Sequence, residues 1–309
     1  MKAIAITDFG QAPELTEVAT PVPASGEVLV RVHAASINGI DPKIVLGYMK
    51  DYMEHRFPLV PGKDFAGVVE SVGEGVKDYS PGDRVFGVDS KQFAGEGSFG
   101  ELLRVPVGMG LARLPEGVSF ADGGALGLAG AAAHDTVKAA DIAHKTVLVL
   151  GATGGVGAYA VQLATALGAT VIATASGEEE KSFVTSLGAR ETVDYKQDVA
   201  AQVREGHPDG VDVILHFAGD PLLVSLLKSG GQLVSTAVMS PDQVPAGEYT
   251  VIPVFAQVTT DTLNTLAASV ASKALVVPIR ASFPLSDAPA ALEAFNAGAL
   301  GKISITIAE

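Results

Sequence analysis

The sequence predicts an α/β chain in which an irregular β-rich part is joined to a doubly wound parallel sheet. Three observations carry that expectation. A glycine-rich loop stands between a short apolar run and a helix-forming segment, strand and helix signals alternate from about Asp122 onward, and before that point short β-branched runs are punctuated by Pro and Gly.

Residues 2–6, 28–37 and 66–72 read as strands, with Pro21, Pro23 and Gly26 on the approach to the second. Ser80-Pro-Gly-Asp-Arg-Val85 reads as a turn feeding a further strand. An alanine-rich helix follows over 126–143. Thr146-Val-Leu-Val-Leu150 is a short apolar run, residues 158–167 are helix-forming up to the stop at Gly168, and 170–174 is a second β-branched run. The alternation goes on with helices near 179–187 and 198–205 around a strand at 191–193. Strands at 211–215 and 232–235 enclose another helix, and a strand at 251–255 follows. A helix over 262–272, a strand at 275–279, a helix near 287–297 and a strand at 303–307 form a closing piece placed to rejoin the first part.

Composition narrows the function classes. The 309 residues hold 35 acidic and 21 basic side chains, a formal charge of −14, which leaves no broad basic footprint for nucleic acid or an anionic membrane surface. The absence of cysteine removes disulfides, thiolate metal sites, iron–sulfur clusters and thiol catalysis together. Met1-Lys2-Ala3-Ile4, with Asp8 close behind, lacks the shape of a signal peptide, so a cytoplasmic protein is expected. Between Lys145 and Glu178 no residue is charged, yet glycines interrupt the run where a membrane span needs ~20 apolar residues. A buried βαβ unit is expected there instead, because parallel strands covered on both faces are continuously apolar.

The loop Ala152-Thr153-Gly154-Gly155-Val156-Gly157 fits a dinucleotide fingerprint with alanine in the first glycine position. A small residue permits the turn, Gly154 lets a pyrophosphate approach the backbone, and Gly157 lets helix and strand pack closely. The helix start offers N–H groups to the anion. An NAD site also wants Asp or Glu about 20 residues on. The second run instead ends Ala173-Thr174-Ala175-Ser176 without an acid, followed by Lys181 and Tyr195. A hydroxyl, a lysine and a phenol suit a 2′-phosphate of about −1.5 to −2 charges, so NADPH is favoured over NADH. Glu178 remains an alternative ribose acid. Gly95-Glu-Gly-Ser-Phe-Gly100, Asp8-Phe-Gly10 and Ala12-Pro-Glu14 imitate kinase motifs in the wrong order, and the chain has no catalytic His-Arg-Asp loop.

The motif order along the whole chain resembles the zinc-independent quinone oxidoreductases of the medium-chain dehydrogenase/reductase superfamily, the zeta-crystallin-like branch. The residues that carry the resemblance are Gly26-Glu-Val-Leu-Val-Arg-Val-His-Ala-Ala-Ser-Ile-Asn38 with Asp41, Pro61-Gly-Lys-Asp-Phe-Ala-Gly-Val-Val69, Gly82-Asp-Arg-Val85, Leu128-Ala-Gly130, Leu187-Gly-Ala189 and Gly301-Lys-Ile303. The resemblance implies a GroES-like β-rich domain over residues 1–121, completed by 273–309, with a Rossmann NADP-binding domain inserted over 122–272. It implies that Asn38 and Asp41 border the nicotinamide and substrate pocket. The cofactor is then held by Thr153, Gly154, Gly155, Val156 and Gly157 and, at the 2′-phosphate, by Ser176, Lys181 and Tyr195. A homodimer or homotetramer is the family expectation. Zinc-dependent relatives carry Gly-His-Glu plus cysteines where this chain reads Gly62-Lys63-Asp64, so no zinc is expected. Ala132 stands where a threonine is often seen.

Without a metal to activate an alcohol, the substrate has to be an electrophile already. The expected activity is therefore NADPH-dependent hydride transfer to a quinone or α,β-unsaturated carbonyl, of the quinone reductase or enone reductase type. The proton comes from water or from Tyr48, Lys43 or Tyr52 in the loop after Asn38. An enoyl-thioester reductase of the same fold and a non-catalytic NADPH-binding sensor are the alternatives.

Overall fold

The computed structural model describes residues 1–308. The chain forms two compact units, one from Met1–Leu128 with the segment from Val258 onward, the other Ala129–Gln257.

The first unit is β-rich. In chain order it contains β1 (Lys2–Ala5), β2 (Glu14–Glu17), β3 (Glu27–Ser36), α1 (Ile40–Val45), β4 (Glu54–Val60), β5 (Asp64–Val72), β6 (Arg84–Val88), β7 (Phe93–Glu96), β8 (Leu102–Pro106) and β9 (Leu111–Arg113). The start of α2 (Phe120–Ala139) belongs to it as well, and α6 (Thr260–Ala271), β16 (Ile279–Pro284), α7 (Ala288–Asn296) and β17 (Lys302–Thr306) complete it. Its main sheet runs β16-β17-β3-β5-β6-β9, with β8 also on β3. Alternation on β3 buries Val28, Val30 and Val32 against Phe65, Val85 and Leu103, so one face of the sheet is core. The returning strand β17 pairs with β3 in antiparallel register, Ser304 opposite Ser36 and Ile305 opposite Ala35. The helix α6 groups with this unit, where the Thr260 hydroxyl donates to Leu111 O at 3.0 Å and Gly110 N–H to Val258 O at 3.2 Å.

The second unit is a parallel α/β sheet. It contains β10 (Thr146–Leu150), α3 (Gly155–Ala166), β11 (Thr170–Thr174), α4 (Gly177–Ser186), β12 (Glu191–Val193), α5 (Val199–Gly206), β13 (Val211–His216), β14 (Leu227–Ser235) and β15 (Tyr249–Pro253). The strand order β12-β11-β10-β13-β14-β15 is the 3-2-1-4-5-6 arrangement of a Rossmann sheet. Its order reverses between β10 and β13, which opens a crevice at their C-terminal ends.

Three sequence expectations are corrected. The helix α2 begins at Phe120, not at 126, and ends at Ala139. Gly123, Gly124 and Gly127 weaken the helix signal, but each is needed for contact. A Cβ on Gly123 would stand 2.7 Å from Leu114 Cδ1, on Gly124 2.7 Å from Ala34 O, and on Gly127 2.9 Å from Asp64 Oδ1. The helix expected between 215 and 232 is a single 3₁₀ stretch, Pro221–Leu226, capped by Asp220 on Leu222 N–H and running directly into β14. No strand forms over 275–278. Pro278 has no N–H to give a ladder, Ile279 N–H turns back to Val277 O (2.9 Å), and β16 starts only there. Among the described residues no helix is long and apolar enough to cross a membrane.

Candidate active site

In the second unit the glycine loop lies between β10 and α3, as its residues require. Gly151 adopts φ +79°, and a Cβ there would stand 3.0 Å from Ala218 Cβ. A Cβ on Gly157 would collide with Gly151 O and lie 2.7 Å from Ala152 Cα, so only glycine lets α3 start this close to the turn. Gly154, the N-cap of α3, is different. Among the described residues a Cβ there would meet only Gly151 O, at 3.5 Å, and no side chain caps the helix. Space beside the backbone and first-turn N–H groups make an anion cradle that fits a pyrophosphate. Thr153, Gly155 and Val156 complete this turn, Thr153 lining a cavity of about 550 Å³ with Gly151, Thr174, Tyr195, Gly219 and Asp220. The cavity gathers the C-terminal ends of β10, β11 and β13, where such sheets hold nucleotides.

Thr174 was not singled out by sequence reasoning. Its buried hydroxyl accepts from Gly151 N–H at 3.0 Å and donates to Val149 O at 3.2 Å, tying the loop to its own strand. The available signal was a hydroxyl residue closing an otherwise apolar run.

Ser176 and Tyr195 come together at the start of α4, while Lys181, on the same helix, faces Glu178. Glu180 lies among them: its carboxylate accepts from Ser176 N–H (2.7 Å) and from the Tyr195 hydroxyl (3.1 Å). Burial and Glu180 both push the Tyr195 phenol up. Asp194 is held below the ordinary carboxyl range first by the Lys196 N–H and then by the Ser176 hydroxyl. Lys181 lies 3.6 Å from Glu178, whose side chain is 95% exposed.

In the first unit Asn38 and Asp41 are neighbours in a buried polar knot. Asn38 N–H donates to Asp41 at 2.7 Å. The Asn38 amide is held at both ends, Nδ2 donating to Asp64 (2.9 Å) and Oδ1 accepting from Lys302 Nζ (2.7 Å). Lys302 also donates to Ile37 O (3.0 Å) and lies 3.4 Å from Asp64, which further accepts from Ser36 (2.8 Å) and from Leu128 N–H (2.7 Å). Burial pushes Lys302 down, opposed by Asp64 and Asp41. Burial pushes Asp41 up to about 7, against the Asn38 N–H, and among the described residues its Oδ1 has no partner. Asp64 and Lys302 carry the knot and were quoted in the sequence only as motif letters. Tyr48, at 68% exposed, and Tyr52, at 81%, stand outside it, as does the exposed Lys43.

The knot does not fit a zinc ion. Where a ligand is needed, the Lys63 ammonium lies 3.5 Å from Asp89, which also binds Lys91 at 2.7 Å. Lys63, Lys91 and Lys302 thus already answer the carboxylates of Asp64 and Asp89, and a divalent cation there would add buried positive charge without a counterion. Among the described residues no three His, Cys, Asp or Glu side chains are placed to hold a metal.

Residues 24–116 match the alcohol dehydrogenase GroES-like domain, and residues 155–266 the zinc-binding dehydrogenase family. A chloroplastic quinone-oxidoreductase QR1 of Triphysaria versicolor is 35% identical over 69% of this chain, which spans 65% of that protein's length. The quinone oxidoreductase of Sus scrofa is 34% identical, covering 79% of this chain and 75% of the relative. The crystal structure of Escherichia coli quinone oxidoreductase complexed with NADPH superposes with a TM-score of 0.87 at 25% identity, over 99% of this chain and 100% of that one. Shared fold, shared domain order and this level of identity place the chain among oxidoreductases: it belongs to the quinone oxidoreductase subfamily of the medium-chain dehydrogenase/reductase superfamily.

Proposed function

We propose that the chain catalyses NADPH-dependent, metal-free hydride transfer to a quinone or an α,β-unsaturated carbonyl. The observation that carries this reading is the open helix start at Gly154 beside a cavity that Thr153, Thr174 and Tyr195 line at the neighbouring strand ends. A solved relative carrying NADPH supports it. Bound NADPH supplies the hydride. The chain's own residues do the rest. The α3 start takes the pyrophosphate on its N–H groups, and Lys181 and Tyr195 give a cation and a donor to the 2′-phosphate. Asn38 cannot swing, because Asp64 and Lys302 fix both ends of its amide, so it is suited to present a fixed amide to a substrate. Asp41 is poised near neutrality behind it. Tyr48, solvent-facing, is in reach of bulk protons.

The test is oxidation of NADPH and of NADH by purified protein against quinones, enones and enoyl thioesters. Turnover with simple quinones or enones, faster with NADPH, is expected. Absence of any oxidation, with tight NADPH binding, would show a sensor instead, and a strong preference for thioesters an enoyl reductase.

A further inference from the structure

We propose that Glu180 limits how far this chain favours NADPH over NADH, because its carboxylate holds the donors that a 2′-phosphate would take. The inference rests on the dinucleotide reading above. Of the acids opening α4, Glu178 and Glu179 are exposed, whereas Glu180 is half-buried and bridges two separate strand ends. One oxygen accepts from Ser176 N–H at 2.7 Å and the other from the Tyr195 hydroxyl at 3.1 Å. Tyr195 also lines the 550 Å³ cavity. A carboxylate and a phosphate are both anionic acceptors competing for one pair of donors, and they repel each other at hydrogen-bond range. The Ser176 hydroxyl is engaged in turn by Asp194. A 2′-phosphate must therefore displace Glu180 before it gains Tyr195. A ribose 2′-hydroxyl need not, since it can donate to the same carboxylate. Glu180 thus penalises NADPH and spares NADH, leaving Lys181, whose partner Glu178 is the most exposed, as the readily recruited positive charge.

Calorimetric binding of 2′,5′-ADP and of 5′-AMP to the full chain isolates the 2′-phosphate. Glu180→Ala is expected to shift the affinity ratio toward 2′,5′-ADP by about tenfold. Glu178→Ala, which removes only the exposed and weakly held partner of Lys181, is expected to shift it by less than about threefold. Glu180→Gln, which preserves an acceptor for the helix start, should move the ratio in the same direction by less. A ratio that stays put or moves toward 5′-AMP in Glu180→Ala overturns the proposal, and so do equal shifts in the Glu180 and Glu178 variants. The NADPH reading fails on a separate result, a wild-type chain that oxidises NADH and not NADPH. The Glu180 ratio is still expected to move in that case.

Discussion

Lys302 is 2% exposed and donates to three oxygens, while the Lys181 side chain is 39% exposed and faces one carboxylate 3.6 Å away. The same contrast runs through the residues around them. Asp64, Asn38 and Ser36 are buried and satisfy one another, whereas Ser176, Glu180 and Tyr195 form a chain of bonds open to solvent. A buried charge cluster must be complete, since each missing partner leaves an uncompensated charge in low dielectric. An exposed cluster can trade partners, because water covers the difference. The first arrangement suits a fixed wall and the second a site that exchanges a protein carboxylate for a ligand.

Changes in the buried cluster should therefore act on folding, and changes in the exposed one on binding. Lys302→Met is expected to have the largest effect, about 3–5 kcal/mol of stability by chemical denaturation, because Asp64 stays buried without its ammonium. A loss under about 1 kcal/mol would mean that the knot relaxes like a surface. Asp41 comes next. Its folded pKa is raised from 3.8 to about 7, so the folded state binds more protons than the unfolded one between those values. Stability should then be fully present below the unfolded pKa and fall as pH rises toward about 7, by on the order of 2–4 kcal/mol. Asp41→Asn should flatten that decline in thermal melts from pH 4 to pH 8, and an unchanged slope would assign it to other groups. Gly157→Ala should cost about 1–3 kcal/mol and weaken both nicotinamide cofactors alike, since the Cβ displaces the loop itself. Lys181→Glu should leave the melting temperature within error and weaken NADPH about fivefold, on the order of 1 kcal/mol, with NADH unaffected. Equal weakening of both cofactors would remove Lys181 from the 2′-phosphate.

The two regions also differed in how far they could be read from the chain. Strands β10, β11 and β12 agree with the sequence to the residue, because a parallel strand buried on both faces is a continuous apolar run bounded by turn signals. The glycine loop was legible for the same reason: each glycine answers a steric need that its neighbours announce. Ser176, Lys181 and Tyr195 are candidates that the missing acid suggests, and of these the structure joins Ser176 and Tyr195 through Glu180. The part played by Glu180 is not legible in the run of acids at 178–180, because which face of a short helix turns inward depends on where the next strand ends. The buried knot was half legible. Asn38 and Asp41 stood in a motif, but Asp64 and Lys302 are 238 positions apart, and no local pattern joins them. In α2, Gly123, Gly124 and Gly127 argue against a helix until the backbone and side chains they touch are in place.

The position of β17 between β16 and β3 has a consequence for synthesis. Every strand of the parallel sheet lies within residues 146–253, so that unit can close as soon as its own residues have left the ribosome. Ala34, Ala35 and Ser36, made far earlier, keep an open strand edge until Ser304–Thr306 arrive, and Asp64 waits as long for the ammonium of Lys302. The first unit to begin is thus the last to finish, and the interval in which a nascent chain is exposed to proteases and chaperones is set by its longest-range contact.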